Sequence, residues 1–140
     1  MSLPAVLAPL FVQVALTFAV LIWTARLRTS ELGSGAVRPE EVALREPGWS
    51  KQALKVGNAL SNQFELPLLF YVLTILAWVT RHAGAVFVVL AWLFVLFRLA
   101  HAYVHVTSNN IRVRGPLFGG SAAVLAAMWV IYIVEVFSGT

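Results

Sequence analysis

Residues 83–105 read AGAVFVVLAWLFVLFRLAHAYVH. From Ala83 to Phe97 the run carries no charged side chain. A helix needs about 20 residues to cross the hydrocarbon core of a bilayer, and this stretch supplies them. It lacks the period-2 alternation of a barrel strand. In lipid the backbone must pair within the segment itself, so the stretch predicts a membrane-spanning helix. Its last part differs from the rest. Arg98, His101 and His105 follow at i, i+3, i+7, which places them on one helix face.

Three more apolar stretches flank it, at residues 3–25, 53–79 and 117–137. Together they predict an all-α membrane protein, a bundle of four transmembrane helices filling residues 1–140 as a single domain. Composition points the same way. Apolar residues make up 60% of the chain and charged ones 11%, against roughly 25% charged in soluble proteins. A soluble fold of this size could not hide so much apolar surface, whereas lipid accepts it. The absence of cysteine excludes disulfides, thiolate metal sites and a cysteine nucleophile. No metal site and no nucleic-acid partner is expected. The first stretch is preceded by no basic residue and runs into Arg26 and Arg28 without a small-residue cleavage site. It therefore reads as a retained span and not as a signal peptide.

The connections are unequal. A long polar loop from Arg26 to Gln52 follows the first span, a tight turn at residues 80–82 follows the second, and a short polar link at 106–116 follows the third. The first and third connections share one side. They hold Arg26, Arg28, Arg38, Arg45, Lys51, Arg112 and Arg114, with Lys55 just inside the second span; the other side holds Arg81. Basic residues accumulate on the cytoplasmic side. Both termini are thus expected outside the cytoplasm, in the periplasm for a bacterial inner membrane. Trp23 and Trp78 stand near span ends, where aromatic anchors collect.

Topology explains the loop charges but not those within the spans. Asn58, Asn62 and Glu65 lie at i, i+4, i+7 on one face of the second span, and Lys51 and Lys55 extend that stripe. Glu65 and Arg98 are each the deepest member of their set, which predicts an ion pair between the second and third spans. An unpaired charge at the bilayer centre costs roughly 2.5–3.5 kcal/mol. Helix locking would account for that pair alone. Two polar stripes converging on one end, beside Arg112 and Arg114, point further, to a polar ligand pocket open to the cytoplasm. Pro67 predicts a kink just beyond the stripe. Gly119, Ala123 and Ala127 at i, i+4, i+8 form a small-residue ridge suited to close helix packing.

With these residues in order, the chain resembles the MAPEG family, the membrane-associated proteins in eicosanoid and glutathione metabolism, and looks like a bacterial branch of it. The second-span segment NALSNQFELP, residues 58–67, carries an Asn62-x-x-Glu65 followed by Pro67 that is similar to one family motif. Arg98-x-x-His101 with the trailing Arg114 matches another in spacing, and Arg26-Leu-Arg28 also fits. The resemblance implies a homotrimer with the second helices on its central axis. It implies glutathione, as co-substrate, bound between neighbouring subunits at the cytoplasmic end. It places Asn62 and Glu65 on the peptide, with Glu65 near its amino group. Arg98 and His101 line the pocket, and Arg26 contributes. Asn58 stands where characterised eicosanoid enzymes have a carboxylate-gripping arginine, His105 where they have a tyrosine, and Arg112 lies beside them at the pocket mouth. Arg114 matches the arginine that stabilises the thiolate. The implied function is a glutathione-dependent transferase, extending to peroxidase activity, acting on a small lipophilic substrate that enters from the lipid bilayer. A non-enzymatic protein of the same fold, binding a lipid or an anionic small molecule, is the alternative. A proton-coupled transporter or small channel subunit using His101, His105 and Glu65 is a third reading; the lack of an inverted repeat opposes the transporter.

Overall fold

The computed structural model describes residues 1–139. Every regular element among them is a helix: α1 Leu3–Gly33, α2 Pro39–Val42, α3 Lys51–Asn62, α4 Leu66–Val79, α5 Ala85–Val106 and α6 Ile111–Ser138. Four spans are long and apolar enough to cross a membrane: α1, α3 with α4, α5, and α6.

Local chemistry sets the helix ends. Ser2 caps α1 by accepting from the Ala5 N–H, and Pro4 fits its first turn. The helix continues past residue 25 through Arg26 and Arg28 to Gly33, so the long polar connection begins as helix. Asn110 caps α6 by accepting from Arg112 N–H at 3.0 Å. That cap starts α6 well before residue 117, with Pro116 inside the helix, and shortens the third connection to a corner. On the long loop, Arg38 Nε donates to Glu41 at 3.1 Å. This bond holds the Glu41 carboxyl below the usual carboxylate range.

The second span does not kink beyond its polar stripe; it breaks inside it. The N–H groups of Gln63, Phe64 and Glu65 bond to residues 60, 61 and 62, a tightening to i→i−3 that ends α3. The chain then restarts as α4 with Pro67 in its first turn, where a missing N–H costs nothing. In an unbroken helix the Pro67 ring would collide with the carbonyl of residue 63.

Two apolar clusters hold the bundle. The larger joins Val6, Phe70, Leu73, Phe87, Phe94, Leu125 and Met128, with Phe70 and Phe94 stacked at 4.7 Å. The smaller joins Val20 with Val56 and Ala59. Between them Gln13 Nε2 donates to Gln63 Oε1 at 2.8 Å, both side chains buried, and ties α1 to the break. The expected small-residue ridge does not pack within the chain: Gly119, Ala123 and Ala127 are exposed on it. Gly120 makes the close approach instead, for a Cβ there would stand 2.8 Å from the Phe97 ring. The outer surface carries Phe18, Ile22, Ile75, Val89, Leu96 and Val134, a belt that belongs in lipid and not in water.

The first and third connections lie together at one end. Lys55 Nζ donates to Thr107 O at 2.9 Å and Gln52 Nε2 to Val106 O at 3.3 Å, so a cation meets the carbonyl end of α5. Arg28 lies over the Trp49 ring at 5.3 Å, against Gly57, where a Cβ would sit 2.8 Å from its guanidinium.

Candidate functional site

At that same end a cleft of about 470 Å³ opens between α3, α5 and α6. It is lined by Asn58, Ser61, Asn62, Glu65, His101, His105, Arg114, Gly115 and Phe118. The two stripes read from the sequence face each other across it. Arg114 closes the third side from the first turns of α6.

Asn62 organises the floor. Arg98 Nη2 donates to Asn62 Oδ1 and, at 3.4 Å, to the Asn62 carbonyl. The Asn62 Nδ2 in turn donates to Glu65 Oε2 at 3.0 Å. Glu65 and Arg98 therefore do not form the expected direct ion pair. The chain leaves the helix after Asn62, so Glu65 sits exposed at the rim while Arg98 stays fully buried. The amide bridges the two charges. Among the described residues the one ion pair is Arg38–Glu41, out on the loop.

Arg98 lies behind the cleft, its Cζ 5.9 Å from the Phe118 ring centre. Its Nε and Nη1 are buried without a partner, as are His101 Nδ1 and His105 Nδ1. The two imidazoles meet edge to face at 5.5 Å, and His101 lies 5.8 Å from Phe118. Arg114 Nη1 donates to Asn109 Oδ1 at 2.7 Å.

Two of the sequence-predicted residues stand apart. Arg26 is exposed on another surface of α1, beside Ile22, Ala25, Thr29 and Ser30. Arg112 is exposed on the first turn of α6 and does not line the cleft. Three lining residues went unread. Ser61 is one turn from Asn58 and Glu65. Gly115 opens the wall beside Arg114. Phe118, four residues after Arg114, shares its helix face, a spacing hidden while residues 106–116 read as a non-helical link.

The donor set suits a ligand bearing both signs of charge. The Arg114 cation in the lining suits an anionic group, and Glu65 at the rim suits an ammonium. The chain matches the MAPEG family model over residues 6–134. No curated protein and no solved structure matches it.

Proposed function

The chain belongs to the MAPEG family, and from that membership we propose that it is an integral-membrane, glutathione-dependent transferase whose activity extends to lipid hydroperoxides. The observation that carries the reading is Arg114. Arg114 lines the same cleft as Asn62, Glu65, His101 and His105, and its guanidinium has no carboxylate partner among the described residues. Its full charge is available to a bound anion.

Glutathione supplies the thiol. A free thiol with a pKa near 8.5 is mostly protonated at neutral pH, and the thiolate is the nucleophile. Arg114 beside the sulfur favours the thiolate. Glu65 holds the amino group, Asn62 the peptide, and His101, His105 and Arg98 the polar interior, with Asn58 and Arg112 toward the mouth. Phe118 offers an apolar wall to a lipophilic substrate arriving from the bilayer. The proposal includes a homotrimer with the α3–α4 spans around its axis, in which a neighbour's outward-facing Arg26 completes the cleft. It also sets the basic connections in the cytoplasm and both termini in the periplasm of a bacterial inner membrane.

Ultraviolet difference absorption at neutral pH tests this. The wild-type protein mixed with glutathione should show a thiolate band. Arg114→Ala should lose the band while calorimetry still detects binding. The Arg114 cation suits other anions equally, which favours a second reading as a non-enzymatic binder of a lipid or anionic small molecule. Glutathione bound without a thiolate band, or not bound at all, assigns the protein to that reading.

A further inference from the structure

The corner between α5 and α6 contains two consecutive asparagines with different tasks. Asn110 caps α6 through its side chain, accepting from Arg112 N–H. Asn109 has a backbone φ of +51°, the left-handed region that asparagine enters more readily than most residues and glycine most readily of all. Its own N–H donates to Val104 O at 2.8 Å and closes α5. The backbone task of Asn109 therefore needs no side chain, and glycine would perform it. Its carboxamide instead reaches forward, and Oδ1 accepts from Arg114 Nη1 at 2.7 Å. That is the one side-chain hydrogen bond of Arg114 among the described residues.

We propose that Asn109 is the positioning residue of Arg114, a neutral anchor that fixes the guanidinium in the cleft without cancelling its charge. The inference rests on the reading of Arg114 as the counter-cation of a thiolate. A long arginine side chain has many rotamers, and a cation acts on a bound sulfur only where it is held close. A carboxylate at position 109 would hold Arg114 as firmly, but it would neutralise the charge that lowers the thiol pKa. A carboxamide oxygen orients the fork and leaves the net charge at +1.

Titration of the thiolate band of glutathione-saturated protein in detergent, from acid to alkaline pH, tests this in full-length wild type, N109G and N109D. Both variants are compatible with the left-handed backbone. The other charged or titratable groups around the cleft are Glu65 from the α3–α4 junction, Arg98, His101 and His105 from α5, and Arg112 beyond the rim on α6; all are unchanged in these variants. N109G should bind glutathione with its thiolate midpoint raised by about half a pH unit or more, and N109D should raise it further, by about one unit or more. Midpoints equal to wild type in both folded variants would show that Asn109 only shapes the corner and would overturn the proposal. Should N109G fail to fold, a midpoint equal to wild type in N109D would still overturn the proposal, since it would show that a charge at 109 does not reach Arg114 in the cleft. A wild type that gives no thiolate band overturns the transferase reading itself, and this inference with it.

Discussion

Asn62 uses both ends of one amide, accepting from a buried arginine and donating to a carboxylate at the rim. Arg98 depends on it, because among the described residues Asn62 provides the acceptors for the one bonded nitrogen of that guanidinium. Asn62→Leu should therefore destabilise the protein by roughly 3 kcal/mol, the cost of a buried charged donor left without a partner. Arg98→Met in the same chain should recover much of that loss, since replacing both partners by apolar groups removes the unsatisfied charge. Thermal unfolding in detergent gives the double-mutant cycle, and strictly additive losses would refute the coupling. Glu65 has a different place. It is exposed at the rim, so Glu65→Gln should change stability by no more than about 0.5 kcal/mol and weaken glutathione binding instead. A large drop in melting temperature would mean that Glu65 holds the bundle after all.

At the scale of elements, the break at residues 63–65 turns one span into two helices and separates Glu65 from Arg98. Pro67 enforces it from the first turn of α4. Pro67→Ala should let the helix close through the break, slowing amide exchange at residues 64–67 and weakening glutathione binding as Glu65 moves. Unchanged exchange there would mean that the Gln13–Gln63 bridge alone holds the break. The α5–α6 contact makes a paired prediction. A side chain at Gly120 runs into Phe97, whereas nothing lies within 4 Å of a Cβ at Gly119. Gly120→Val should cost about 1–3 kcal/mol by overpacking, and Gly119→Ala should be neutral or stabilising by up to about 1 kcal/mol through helix propensity. Unfolding midpoints of the two variants measure this directly, and equal effects would contradict the packing described.

At the scale of the molecule, the apolar belt and the cleft make opposite demands. Lipid suits Phe18, Ile75 and Val134, but Asn58, Ser61 and Glu65 are also exposed on the single chain, and lipid is a poor solvent for them. A second and third copy covering that face would answer the demand, and native mass spectrometry in mild detergent should find trimers. A monomer there would count against the proposed shared cleft. The proposed orientation rests on charge: eight Lys and Arg side chains cluster at the cleft end, against Arg81 at the other. A reporter fused at the C-terminal end should be active in the periplasm; activity confined to the cytoplasm would invert the topology and put the cleft on the side away from the cytosolic thiol pool.

The four spans and the all-helical class were legible in the residues, because lipid imposes length and apolarity on each segment separately, and the polar motifs of the second and third spans carried the family. The sequence also brought out the two polar stripes, since a charge in an apolar run is conspicuous whatever surrounds it. It took the folded chain to show which glycine packs, that Asn62 stands between Glu65 and Arg98, that Asn109 accepts from Arg114, and that Phe118 lines the cleft of the single chain while Arg26 and Arg112 do not. The reason lies in how spans are turned about their axes. From Phe118 to Tyr132, α6 carries no charged side chain to declare which side meets its neighbours. Its rotation is settled when side chains from several helices interlock, and the break before Pro67 then decides how far each polar group reaches.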